Sequence, residues 1–85
     1  HKMNLFVNDL WEYKEVNEKM TFGEKLKAER IKKGVSEFQV ATTLGLSQSA
    51  ISKYEHGIKE PSKGALVALA KYYDVSLDYL VNEEN

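Results

Sequence analysis

The spacing of helix starts and stops constrains this chain more than any other feature. Thr21-Phe22-Gly23-Glu24 has the T-x-x-E form of a capping box, which predicts a helix beginning near Phe22. Gly34 stands where a left-handed C-terminal cap would fall. Ser36 opens a second, short helix, with Gln39 three residues on and Gly45 as its stop. Ser47 opens a third, which Gly57 ends. Pro61-Ser62 precedes a fourth that carries Ala65-Leu66-Val67-Ala68-Leu69-Ala70 through Tyr73, and Ser76 opens a short fifth through Val81. Strand signals are weak. Compact helices joined by loops of about two to six residues point to an all-α globule.

Composition narrows the function classes. The 85 residues leave room for one domain, and a chain of this size can bury about two-thirds of its unfolded surface. A hydrophobic share of 42% argues against wholesale disorder. There is no cysteine, so disulfide scaffolds, thiolate metal sites and thiol nucleophiles are excluded. His1 and His56 stand far apart and make no metal site by themselves. The Ala65–Ala70 run is too short to span a bilayer. No basic start leads into an apolar stretch, as a secretory signal would. The expectation is a cytoplasmic protein with no membrane, metal or cofactor requirement. Enzyme readings fail on inventory as well: there is no Gly-rich strand-to-helix loop, and Ser, His and Asp residues show no nucleophile turn or partner spacing.

Charge is distributed unevenly around a net of −1. Residues 1–19 carry three Lys against four Asp/Glu, residues 20–63 carry seven Lys and Arg30 against five Glu, and residues 64–85 carry Lys71 against Asp74, Asp78, Glu83 and Glu84. A basic middle between acidic ends suits a binding face with a separate assembly surface. On charge alone, chance scatter of solvated charges is the first reading.

Three regions are expected: an N-terminal extension over 1–20, a helical domain over 21–82 and a short tail over 83–85. His1-Lys2 before Met3 reads as an added remnant. Phe6, Val7, Leu10, Trp11 and Tyr13 suit one face of a short extra helix, with Asp9-Leu10-Trp11-Glu12 as another capping box. An extended segment over Leu5–Val7 is the alternative.

The informative stretch runs from Val35 to Glu55. Two helices of about eight residues meet there at a turn of about four residues containing Gly45, a helix-turn-helix arrangement. Ala41 lets the helices cross closely, and Gly45 supplies the positive φ of the turn. Val40, Leu44, Leu46, Ile51 and Tyr54 are spaced to bury together. Gln48, Ser49, Ser52 and Lys53 are left on the outer face of the third helix, a row of donors and acceptors that a major groove accepts.

On these residues the sequence resembles the Cro/repressor-type (phage-repressor-like, XRE-class) helix-turn-helix family. The resemblance covers roughly Phe22 to Val81. It rests on Phe22-Gly23-Glu24-Lys25-Leu26-Lys27, Arg30, Gly34-Val35-Ser36, Val40-Ala41, Leu44-Gly45-Leu46-Ser47, Ile51-Ser52-Lys53-Tyr54-Glu55, Gly57, Pro61-Ser62 and Val75-Ser76-Leu77-Asp78-Tyr79-Leu80. It implies a compact five-helix lambda-repressor-like domain that binds double-stranded DNA and regulates transcription, as a repressor acting on a palindromic operator as a homodimer. Gln48, Ser49, Ser52 and Lys53 would then face base edges. Gln contacts adenine twice and Lys reaches guanine; the plain reading of Gln48 and Ser49 is polarity at a helix start. Phosphate contacts would come from Ser36, Arg30, His56, Lys59, Ser62 and Lys63, although single surface lysines are most often only solvated. The resemblance also implies that Arg30 pairs with Glu55, locking two helices first and contacting DNA second. Candidate dimer-interface residues are Tyr79, Val81 and Trp11, while Leu77 and Leu80 are expected in the core.

Two departures stand out. Glu37 replaces a frequent Gln that helps hold a phosphate, and a carboxylate there repels phosphate while suiting the helix dipole. Phe38 occupies a usually polar position; the extension, through Phe6, Leu10 and Trp11, is expected to fold over it. The competing function is a protein-interaction module, antitoxin-like or anti-regulator, with residues 3–20 as candidate contacts for a protein partner.

Overall fold

The computed structural model describes residues 20–82, which form α1 (Phe22–Lys33), α2 (Glu37–Leu44), α3 (Gln48–Glu55), α4 (Lys63–Tyr73) and α5 (Leu77–Val81), with no strand among them. Every helix begins where a hydroxyl can take the amide three residues on. Thr21, Ser36, Ser47, Ser62 and Ser76 all have extended backbone and accept from Glu24, Gln39, Ala50, Ala65 and Tyr79. Each such cap contributes about 1 kcal/mol. Capping boxes close fully at the first two: the Thr21 amide donates to Glu24 Oε1 at 3.0 Å, and the Ser36 amide to Gln39 Oε1 at 2.8 Å.

Chain reversals use left-handed residues. Gly34 (φ 77°) and Gly45 (φ 71°) end α1 and α2, a conformation open to glycine at no steric cost. Asp74 (φ 58°) does the same work after α4, where the sequence offers no glycine; Asp is one of the few side chains that tolerate this region. Only Gly45, Leu46 and Ser47 separate α2 from α3, one residue fewer than the expected turn of about four, although Gly45 and Ser47 cap the two helices where the sequence puts them.

All five helices contribute to one core: Leu26, Val40, Ala41, Ile51, Tyr54, Leu69, Ala70, Tyr73 and Leu80. The expectation for α5 is half right. Leu80 is fully buried, but Leu77 is 41% exposed. A helix of five residues makes about one and a half turns, and Leu80 fills its one buried position. Trp11, the extra N-terminal helix, its cover over Phe38 and the tail over 83–85 lie outside the described residues. Among the described residues no helix is long and apolar enough to cross a membrane, and no group of three or more His, Cys, Asp or Glu could hold a metal ion.

Candidate nucleic-acid interface

α3 divides into two faces. Ile51 and Tyr54 are in the core, and Glu55 is buried at its end. On the other side Gln48, Ser49 and Lys53 are exposed. Ser52 belongs to the same row but is half-buried, with its hydroxyl 3.5 Å from the His56 ring. The helix therefore presents three open polar side chains and a fourth that is partly occupied.

Its far end is pinned from α1 in two ways. Arg30 Nε donates to Glu55 Oε2 at 2.7 Å and Nη2 to Oε1 at 3.1 Å, while Nη1 donates to the Val35 carbonyl at 3.1 Å. This two-point pair is the one implied by the resemblance. Burial pushes the Glu55 carboxyl up and the bond from Arg30 opposes that, with Glu37 adding negative charge nearby. The same bond to Glu55 raises Arg30 above the ordinary guanidinium value. Arg30 keeps two of its five N–H donors beyond these bonds, but its side chain is only 15% exposed. Gly23 is the second pin. A Cβ there would meet the Tyr54 carbonyl oxygen at 2.8 Å and that of Glu55 closer still, so only glycine permits this approach of α1.

The expected phosphate contacts fall into two groups. Lys59 and Lys63 are exposed and form no ion pair among the described residues. Ser36 and Ser62 also lie at the surface, but each hydroxyl already accepts its N-cap bond, leaving only the hydroxyl proton for an outside oxygen. His56 Nδ1 lies 2.8 Å from the Ser52 carbonyl. A carbonyl only accepts, so Nδ1 carries a proton, and Nε2 can donate to a phosphate only in the cationic ring. An open groove of about 580 Å³ between the first turn of α1 and the loop after α3 brings His56 and Lys59 together with Lys27. Lys27 was not singled out from the sequence; its place follows from the close approach at Gly23.

The two described dimer candidates differ. Val81 is 51% exposed and, with Phe22, Pro61 and Leu66, lines a shallow cleft of about 230 Å³. Tyr79 is half-buried, its ring 4.9 Å from Lys25 Nζ. Lys25 carries part of the family resemblance, but sequence reasoning assigned its side chain no role.

A short helix with its inner face in the core, its outer face polar and a tight glycine turn before it has the arrangement of a helix-turn-helix domain. Residues 26–80 match the Helix-turn-helix family model, and the chain belongs to that family, in its Cro/repressor (XRE) type. It is 32% identical over 65 residues to the HTH-type transcriptional regulator ImmR of Bacillus subtilis, covering 76% of this chain and 51% of ImmR. It is 37% identical over 65 residues to the HTH-type transcriptional activator BcrR of Enterococcus faecalis, covering 76% of this chain and 32% of BcrR. The chain thus spans about half the length of the first and a third of the second. Among solved structures it is similar to the P22 c2 repressor protein in complex with synthetic operator 9T, with a TM-score of 0.73 and 32% identity over 76% of this chain and 98% of that one. These relatives are regulators and a repressor by name, not enzymes.

Proposed function

We propose that this protein is a sequence-specific repressor that binds a palindromic operator as a homodimer, with α3 in the major groove. The observation that carries the reading is the exposed row Gln48, Ser49 and Lys53 on a helix fixed from behind by Gly23 and the Arg30–Glu55 pair. A rigid helix with free donors and acceptors can hold base-edge geometry, and each good two-point contact discriminates by about 1–3 kcal/mol. Ser52 is a weaker base contact because it is half-buried against His56. Lys59 and Lys63, with the hydroxyls of Ser36 and Ser62, His56 and the remaining donors of Arg30, supply the phosphate contacts. The similarity to an operator-bound repressor supports the same assignment.

Dimerisation is assigned to the surface of α5 that carries Val81, with half-buried Tyr79 beside it. Two-fold pairing would set the recognition helices about 34 Å apart, one turn of DNA. The test is selection of bound sequences from a randomised duplex pool at low salt. A symmetric motif with half-sites about one helical turn apart supports the proposal. A single asymmetric half-site would overturn the dimer, and no enrichment would overturn DNA readout. Phe38, 62% exposed on α2, favours a second reading in which a protein partner covers this apolar side chain. If instead the chain's own extension covers Phe38, a protected Trp11 fluorescence signal changes on Phe38→Ala; an unchanged signal rules that cover out.

A further inference from the structure

Lys25 takes no part in the polar face of α3, yet it is 1% exposed. Lysine is almost never buried to that degree without partners. Its Nζ donates to the backbone carbonyls of Tyr79 at 2.8 Å and Asn82 at 2.7 Å, and sits 4.9 Å from the centre of the Tyr79 ring. These carbonyls belong to the last turn and C-cap of α5, a helix with no basic residue of its own in that turn. A helix this short is unstable alone, and its C-terminal carbonyls are where a cation is most favourable. Lys25 brings that cation from α1. Two residues earlier, Gly23 sets α1 against the last carbonyls of α3. One turn of α1 therefore holds the ends of two different helices through two different contacts.

From this juxtaposition we infer that Lys25 is the positioning residue of α5: it fixes the C-terminal end of that helix and so holds Val81 in its outward position. The consequence for dimerisation rests on the two-fold reading above. Without the ammonium, the Tyr79 and Asn82 carbonyls lose a donor inside the fold, α5 frays from its C-terminal end, and the surface carrying Val81 no longer has one geometry. α3 keeps its own pins, so the polar face is unchanged. Dimer assembly on DNA is lost while contact with a single half-site persists.

The test uses Lys25→Met, which retains the length and apolar stem, and Lys25→Arg, which retains the cation. In Lys25→Met, amide exchange at Leu80 and Asn82 is expected to quicken by about tenfold or more, with Ile51 and His56 unchanged. Affinity for a single half-site should stay within about twofold, whereas affinity for the full palindrome should fall by about tenfold or more. Lys25→Arg should restore both. Unchanged exchange at Leu80 and Asn82 overturns the inference, whatever DNA binding does. Equal loss on half and full sites also overturns it, because Lys25 would then serve only general stability. Equal wild-type affinity for half and full sites would instead overturn the two-fold reading, and the α5 exchange pattern would still decide the role of Lys25. Should Lys25→Met fail to fold, Lys25→Gln, with a shorter neutral donor, must show the same selective exchange for the inference to stand.

Discussion

α2 and α3 are built to one specification and finished differently. Each has eight residues, opens on a serine that caps the amide three residues on, and gives its inner face to the core. α2 closes its own beginning: Gln39 reaches back to the Ser36 amide, and Glu37 places a negative charge in the first turn. α3 has Ala50 where Gln39 stands in α2, no acid in its first turn, and Gln48, Ser49 and Lys53 outside. The ends differ too, since α1 pins α3 through Gly23 and Arg30. α2 thus satisfies the polar groups of its own first turn, whereas α3 is held firmly by one face so that its other face can be used.

The sharpest way to break this contrast is at the pin. Gly23→Ala forces a methyl against two backbone carbonyls that have no flexible side chain to yield. Overpacking of this kind costs about 3 kcal/mol, a fall in melting temperature of about 12–24 °C for a domain this size. Thermal unfolding by circular dichroism checks it. The loss should exceed that of any single substitution on the outer face of α3.

Arg30→Met should come next. It leaves Glu55 buried without its partner, with Glu37 nearby, and removing one member of such a pair costs about 3 kcal/mol. The partial exposure of Arg30 lets water return to the carboxylate, so about 2 kcal/mol is the better expectation. Urea unfolding measures it, and the double variant Arg30→Met/Glu55→Met should recover part of the loss. No recovery would mean that the pair is not what Glu55 needs.

On the outer face, effects should move from stability to readout. Gln48→Ala should relax preference at one base pair by about 1–3 kcal/mol while leaving unfolding unchanged. Lys63→Ala should weaken all sequences alike and lower the salt slope by about one. Competition binding on matched and mismatched duplexes separates the two. The smallest effect is expected at the start of α2: Glu37→Gln removes a charge that repels phosphate and should raise affinity by a few-fold, about 0.5–1 kcal/mol, at low salt. Unchanged affinity would place Glu37 away from the phosphates.

Much of this was legible in the sequence for a local reason. Caps act within four residues, so Thr21-x-x-Glu24, Ser36-x-x-Gln39, Gly34 and Gly45 announce themselves. Ala41 and the Val40/Ile51/Tyr54 set follow from helical spacing, and the Arg30–Glu55 pair from the family resemblance. What stayed hidden is non-local. Nothing near Lys25 in the chain says that its ammonium meets carbonyls 54 and 57 residues away. The role of Gly23 depends on where α3 ends, and a glycine inside a predicted helix otherwise looks like a weakness. Leu77 misled because a five-residue helix has fewer inward positions than its apolar residues suggest. The end of α4 at Tyr73 was legible, but not that Asp74 caps it in the left-handed region, a glycine's work done by another side chain.

The most direct test of the central claim, that the outer face of α3 reads base sequence, is to repeat the duplex selection with Gln48, Ser49 and Lys53 all replaced by alanine. The expected result is a folded protein of near wild-type melting temperature that retains weak, salt-sensitive binding but enriches no motif. Recovery of the wild-type motif by that variant would contradict the claim and move sequence readout to another surface.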